Sequence, residues 1–152
     1  MVAILHNIRS AHNVGSMFRT ADAAGIKRLY LCGITPAPWP VGFTGAATSD
    51  AMLGSARKSL EKTALGAEKT EPWEKCARVA DCIRHLRADG YYICAVEIAR
   101  DAVPYYDADF LKKNTDKLVF IVGNEVKGLP KSVLLKCDAV VCIPLHGKKE
   151  SL

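Results

Sequence analysis

The chain has 152 residues, of which 49% are hydrophobic and 24% charged, the composition of one globular domain with its own core. No apolar run approaches the ~20 residues of a membrane-spanning helix, and the N-terminal residues lack the long apolar stretch of a signal peptide. We therefore expect a cytoplasmic protein without a membrane partner. The net charge of +5 is compatible with a polyanionic partner but does not by itself indicate one.

Five short runs predict buried β-strands, because they are nearly continuous in apolar residues rather than alternating. In chain order they are VAIL (2–5), RLYLC (28–32), YYICAVE (91–97), KLVFIV (117–122) and AVVCI (139–143). Helical spacing predicts helices over 13–24 and 74–88. Strands that alternate with helices predict an α/β domain with a mostly parallel sheet flanked by helices.

The first predicted helix carries clear signals at both ends. Asn13 is a good N-cap and Gly25 a good C-cap. Gly15, in the first turn, allows another backbone or a ligand to come close. Residues 33–56 are rich in Pro, Gly, Thr and Ala, which predicts a long surface excursion, and the mixed charges that follow are typical of a solvated helix face.

The six cysteines contain no CxxC pair, and most of them lie in apolar runs. They are Cys32, Cys76, Cys82, Cys94, Cys137 and Cys142. This pattern predicts small buried side chains in a reducing compartment. A zinc site would need tighter clustering of Cys and His along the chain, so no metal is expected.

Three stretches place glycines and polar residues directly beside apolar runs. They are NIRSAHNVGSMFRTADAAG (7–25), VFIVGNEVKGLP (119–130) and VVCIPLHGKKESL (140–152). The second and third are loops that follow strands, where open α/β sheets bind ligands, so together they could hold a small molecule. Neither GxGxxG nor GK[ST] occurs, which argues against a nucleotide-dependent oxidoreductase and against a phosphate loop.

In this order the stretches resemble motifs 1, 2 and 3 of the SpoU (TrmH-like) RNA ribose 2′-O-methyltransferases of the SPOUT superfamily. The matching patterns are N-x-R-x(3)-N-x-G-x(3)-R-T-A-D-A-x-G, V-G-N-E-x-x-G-L and I-P-L-x-G-x(3)-S-L. The resemblance implies methyl transfer from S-adenosylmethionine to a ribose 2′-hydroxyl of tRNA or rRNA. It also implies a C-terminal deep trefoil knot and a homodimer whose active site is completed across the interface.

By position, the resemblance makes Asn13, Arg19, Glu125 and Ser151 the polar active-site residues. Arg19 is assigned in such enzymes to activating the 2′-hydroxyl. Since a guanidinium with a pKa above about 12 is a poor proton acceptor, Arg19 is better suited to grip a phosphate and stabilise alkoxide charge. Glu125 is expected to orient Asn13 or Arg19, and Ser151 to help fix the target ribose.

The resemblance also implies a cofactor pocket formed largely by backbone groups of the second and third motifs. The expected cofactor residues are Val122, Gly123, Gly128, Ile143, Leu145 and Leu152. Basic residues such as Arg9, Lys148 and Lys149 are expected to contact RNA. Methyl transfer itself needs no metal, because the sulfonium is already a good leaving group.

The sequence stops inside the third motif, after Ser151 and Leu152. Family members continue with S-L-N-V-S-x-A into a C-terminal helix that closes the knot. We therefore expect residues 1–152 to form a single catalytic domain that is incomplete at its C-terminus. A non-enzymatic alternative is an RNA-binding relative that has lost methyl transfer.

Overall fold

The computed structural model describes residues 1–38, 51–112, 116–145 and 147, and these residues form one parallel sheet of seven strands. The strands are β1 (Val2–His6), β2 (Leu29–Cys32), β3 (Trp73–Cys76), β4 (Tyr92–Val96), β5 (Val103–Pro104), β6 (Leu118–Val122) and β7 (Ala139–Cys142). The helices are α1 (Ala11–Ala24), α2 (Ala51–Ala64), α3 (Ala67–Thr70), α4 (Val79–Ala88) and α5 (Lys131–Leu134). Short 3-10 turns cover Tyr105–Asp107 and Asp109–Lys112.

The strand order is β3-β2-β1-β6-β4-β7-β5, and every pairing between neighbours is parallel. The five predicted strands and the α/β class are therefore confirmed. In a parallel sheet the carboxyl ends of all strands lie at the same end of the sheet. The chain adds strands outward from β1 to β3 and then returns to β4 on the other side of β1. This reversal places a topological switch point at the carboxyl ends of the strands.

Each face of the sheet is covered by its own helices. On one face α1, α2 and α3 pack with β1 and β2 around the fully buried Phe18, Val14 and Leu60. On the other face α4 and α5 pack around Ile83, Leu86 and other apolar side chains. Strands covered on both faces need apolar residues at successive positions, which is why the runs do not alternate.

Helix α1 begins earlier than the sequence predicted. Its N-cap is Ser10, whose hydroxyl accepts a hydrogen bond from the Asn13 N–H at 3.3 Å, so the expectation that Asn13 caps the helix is wrong. Ser and Asn are both good caps, and Asn13 instead uses its side chain in a long-range contact described below. Gly25 ends the helix with φ 67°, as predicted.

Gly15 marks the crossing of α1 and α2. A Cβ at this position would meet the Leu60 carbonyl oxygen at 2.2 Å, so the close approach is by another backbone. The Thr63 hydroxyl donates to the His12 carbonyl at 2.8 Å across the same crossing. The glycine therefore lets the two helices pack backbone to backbone.

The predicted helix over 74–88 is wrong at its start, because residues 73–76 form β3 and the helix begins only at Val79. Trp73 packs on one face of the sheet and Cys76 on the other, as a strand requires. Two exposed charged residues between them interrupt the apolar pattern, so the sequence does not predict this edge strand. Strand β5 has only two residues, which is too short for a sequence pattern to predict. The predicted excursion over 33–56 is also too long, since α2 starts at Ala51 and residues 39–50 lie outside the described part.

No helix among the described residues is long and apolar enough to cross a bilayer. The trefoil knot implied by the resemblance stays a prediction, because residues 148–152 lie outside the described part of the chain.

Candidate active site at the strand ends

A cavity of about 320 Å³ opens at the carboxyl ends of β1, β6, β4 and β7. It lies at the switch point of the sheet, and its size is at the lower end of the range for small-molecule sites. Its walls combine apolar side chains with loop backbone and two carboxylates. They are Ile8, Asn13, Met17, Val96, Glu97, Ile98, Val122, Gly123, Asn124, Glu125, Val126, Gly128, Ile143 and Leu145.

Glu125 joins the loop after β6 to the start of α1. Its two carboxylate oxygens accept hydrogen bonds from the backbone N–H of Arg9 at 2.9 Å and of Ser10 at 3.0 Å. The side-chain amide of Asn13 donates to the same carboxylate at 3.1 Å. Three donors from the first motif therefore meet one acceptor from the second.

These contacts favour the charged form of Glu125. Partial burial works against ionisation, but the hydrogen bonds from Arg9, Ser10 and Asn13 outweigh it and hold the pKa of the Glu125 carboxyl below its usual value. The carboxylate is therefore a fixed negative charge at the cavity wall over the neutral pH range.

The loop after β6 is held by its own side chains. Asn124 donates to the Asn7 carbonyl at 2.8 Å and accepts from the N–H groups of Val126 and Lys127. The backbone carbonyl of Asn124 accepts a hydrogen bond from the Gly128 N–H at 2.9 Å. The loop is thereby closed on itself and anchored to the end of β1.

Two glycines allow this loop to fold tightly. A Cβ at Gly123 would meet the Gly128 carbonyl carbon and the Leu129 nitrogen, both at 2.7 Å. Gly128 adopts φ +62°, and a Cβ there would meet the Glu97 carboxylate at 2.5 Å. Both positions need glycine, so at these two points the loop exposes backbone to the cavity.

Glu97 is a site residue that the sequence analysis missed. It follows β4 directly and accepts hydrogen bonds from the N–H of Leu129 at 2.6 Å and of Ile98 at 3.0 Å. The signal was present, because the run YYICAVE ends in this carboxylate at a strand end. No glycine-rich loop follows Glu97 in the sequence, which sets this strand end apart from the two in the second and third motifs.

The structure brings together most of the predicted site residues that it describes. Asn13 and Glu125 meet at the cavity, and five of the expected cofactor residues line it. These are Val122, Gly123, Gly128, Ile143 and Leu145. Four further expected residues lie outside the described part of the chain, namely Ser151, Leu152, Lys148 and Lys149.

Arg19 is exposed and is not among the residues that line the cavity. It is two positions after Met17, which does line the cavity, so the two side chains leave α1 about 200° apart. Arg9 is exposed beside the Glu125 contact. The chain therefore presents Asn13 and Glu125 to the cavity and directs Arg19 away from it.

The whole sequence matches a known protein family. The model of the SpoU rRNA Methylase family matches residues 1–152. This chain belongs to the SpoU rRNA methylase family.

The curated relatives of this SpoU family chain include RNA-modifying enzymes. It is 31% identical over 149 residues to the 23S rRNA (guanosine-2′-O-)-methyltransferase RlmB of Shewanella oneidensis, covering 98% of this chain and 52% of that protein. It is 24% identical over 152 residues to the tRNA (guanosine(18)-2′-O)-methyltransferase of Escherichia coli, covering 100% of this chain and 56% of that protein. The chain thus spans about half the length of these relatives.

Solved structures of methyltransferases share the fold. An AdoMet-bound rRNA methyltransferase from Sinorhizobium meliloti is 27% identical, with a TM-score of 0.76 over 99% of this chain and 49% of that one. The SpoU methyltransferase AviRb from Streptomyces viridochromogenes, in complex with AdoMet, is 24% identical, with a TM-score of 0.72 over 100% of this chain and 53% of that one.

Proposed function

We propose that this chain is a catalytic domain that transfers a methyl group from S-adenosylmethionine to a ribose 2′-hydroxyl of tRNA or rRNA. One observation carries the proposal. Residues expected from the second and third motifs to hold the cofactor line a single cavity, and Asn13 and Glu125 stand at its wall. The names of the relatives, which act on tRNA and 23S rRNA, support RNA as the substrate.

The cavity fits a cofactor that is held largely by backbone. Gly123 and Gly128 leave no room for a Cβ, and the apolar side chains of Val122, Ile143 and Leu145 would cover an adenosine. When bound, S-adenosylmethionine supplies an electrophilic methyl group on a sulfonium. The carboxylates of Glu97 and Glu125 line the same cavity and place negative charge beside a cationic ligand.

The chain's own residues position the ribose hydroxyl that accepts the methyl group. Glu125 fixes the N-terminus of α1 through three hydrogen bonds, which holds Asn13 at the cavity wall. The Asn13 side-chain oxygen has no hydrogen-bond partner among the described residues, so it is available to a ribose hydroxyl. Catalysis then comes from positioning the hydroxyl in line with the methyl group.

Arg19 would enter the site of a second subunit. The side chain leaves α1 away from its own cavity, and no described residue forms an ion pair with it. In a twofold homodimer, Arg19 of one subunit would reach the cavity of the other, grip a phosphate of the RNA and stabilise the developing alkoxide. The homodimer is thus part of the proposal, because it completes the site.

The test uses the full-length protein, labelled S-adenosylmethionine, and total tRNA and rRNA. We expect cofactor binding by calorimetry and transfer of label to RNA. Cofactor and RNA binding without transfer would instead identify an RNA-binding relative that has lost catalysis. Absence of both cofactor binding and transfer would contradict the proposal.

A further inference from the structure

Three cysteines that are far apart in sequence meet on the α4 face of the sheet. The sulfur atoms of Cys32, Cys76 and Cys82 all lie within 4.8 Å of one another. None of the three lines the cavity described above. All three are free thiols, with Cys32 and Cys82 buried and Cys76 partly buried.

The fold creates this cluster from three separate elements. Cys32 and Cys76 are in-register partners at the carboxyl ends of β2 and β3, so their side chains stand on the same face. Cys82 comes from the buried side of α4, which covers that face. We refer to Cys32, Cys76 and Cys82 as the thiol cluster.

From this geometry we infer that the thiol cluster is a metal site for a thiophilic ion such as Zn²⁺. Zinc–sulfur bonds of about 2.3 Å place the sulfurs of a tetrahedral site about 3.8 Å apart, so small side-chain adjustments would complete three bonds. Thiolate ligands are the donors that select Zn²⁺ and Cu⁺ over hard cations such as Mg²⁺. Each thiol loses its proton to solvent as its bond to the ion forms.

His6 lies next to the thiol cluster, but its ring nitrogens are not within 4.8 Å of all three sulfur atoms, so its side chain would have to rotate to become a fourth ligand. It is the in-register partner of Cys32 on β1, so its side chain stands on the same face of the sheet. Only 7% of its surface is exposed, and its Nδ1 has no hydrogen-bond partner. A buried ring nitrogen without a partner is costly, and coordination after such a rotation would satisfy it.

The charge balance of such a site is also favourable. Three thiolates and one divalent ion carry a net charge of −1. The Lys75 ammonium donates to the carbonyl oxygens of Gly33 at 2.7 Å and Thr35 at 2.5 Å. It lies close enough to Cys32 and Cys76 for its positive charge to offset the negative charge of the site. The ion would tie β2, β3 and α4 together beside the turn that contacts Asn7.

The test compares two half-buried thiols that pack on the same core. Cys76→Ser removes a member of the thiol cluster, whereas Cys137→Ser removes a cysteine outside it. Full-length protein is reduced, stripped of metal with a chelator, and titrated anaerobically with Zn²⁺ and with Cd²⁺. The readouts are binding stoichiometry and the ultraviolet absorption of cadmium–thiolate bonds.

We expect one ion per chain in the wild type and in Cys137→Ser, with binding at least about tenfold weaker in Cys76→Ser. The same ion should raise the melting temperature of the first two proteins more than that of the third. If Cys76→Ser does not fold, Cys82→Ala provides the comparison. No stoichiometric binding, equal binding by the variants, or a disulfide within the thiol cluster in unreduced protein would overturn the inference.

Discussion

At the scale of single residues, Glu125 links two motifs that are distant in sequence. Its importance could be predicted because it follows a buried strand and matches a motif. Its backbone partners Arg9 and Ser10 could not be predicted, since they depend on how the loop after β6 meets the start of α1. The same tertiary contact explains why Asn13 does not cap its helix.

The lowered pKa of Glu125 gives a pH prediction. A carboxylate whose folded-state pKa is depressed stabilises the fold above its unfolded pKa of about 4.3, and this stabilisation is lost as the pH falls through the folded pKa. Glu125→Gln should therefore reduce the free energy of unfolding at pH 7 by on the order of 1 kcal/mol. The difference from wild type should shrink at pH values below the ordinary carboxyl range.

Urea denaturation at pH 7 and at acid pH measures this difference. Glu61→Gln, on α2, is the control and should change stability little at either pH. A Glu125→Gln penalty that persists unchanged in acid would show that the charge is not responsible.

Arg9 offers a separate prediction about RNA. Its side chain is exposed beside the cavity, and only its backbone is engaged by Glu125. Arg9→Ala should weaken RNA binding and reduce the slope of log affinity against log salt by about 1. Filter binding at several salt concentrations measures the slope, and Arg84→Ala on α4 is the control. An unchanged slope would remove Arg9 from the RNA-binding surface.

At the scale of elements, sequence patterns predicted the buried strands well, because each is covered on both faces and must be apolar throughout. The short edge strand β3 was missed, since Glu74 and Lys75 face solvent and break the apolar run. The start of α1 was missed because Ser10 and Asn13 are both plausible caps. Edges and ends are set by tertiary packing, which a local pattern does not contain.

The loop after β6 gives an element-scale prediction. Gly123→Ala forces a Cβ against backbone atoms of Gly128 and Leu129, so the loop must shift. We expect a loss of about 1–3 kcal/mol in stability and at least about tenfold weaker S-adenosylmethionine binding. Calorimetry measures the affinity.

The matched control for that variant is Gly54→Ala on α2. A Cβ at Gly54 meets nothing within 4 Å, so alanine should leave cofactor binding unchanged and leave stability equal or higher by up to about 1 kcal/mol. Wild-type cofactor affinity in Gly123→Ala would mean that this loop does not form the pocket.

At the scale of the whole molecule, the parallel sheet gathers residues from distant motifs at one edge, and α/β patterning could predict that edge. The thiol cluster could not be predicted, because its cysteines come from β2, β3 and α4 and become neighbours only through register and helix packing. The position of Arg19, away from its own cavity, likewise became clear only in the structure.

The proposed homodimer can be tested by complementation. Arg19→Ala keeps its cavity, and Gly123→Ala keeps Arg19, so at a low S-adenosylmethionine concentration each alone should transfer little methyl. A mixed dimer contains one complete site, and an equal mixture should recover roughly a quarter of wild-type methyl transfer. No recovery after subunit exchange, with dimers shown by sedimentation, would place Arg19 in its own subunit's site or outside the mechanism.

The chemical position of the transferred methyl group decides whether the chain acts on ribose. Full-length protein is incubated with labelled S-adenosylmethionine and total tRNA and rRNA, and the RNA is digested to nucleosides for mass spectrometry. We expect label in a 2′-O-methylated ribonucleoside with the wild type, and no label with the Glu125→Gln, Arg19→Ala double variant. Label on a base, or no label from protein that binds the cofactor and RNA, would contradict this expectation.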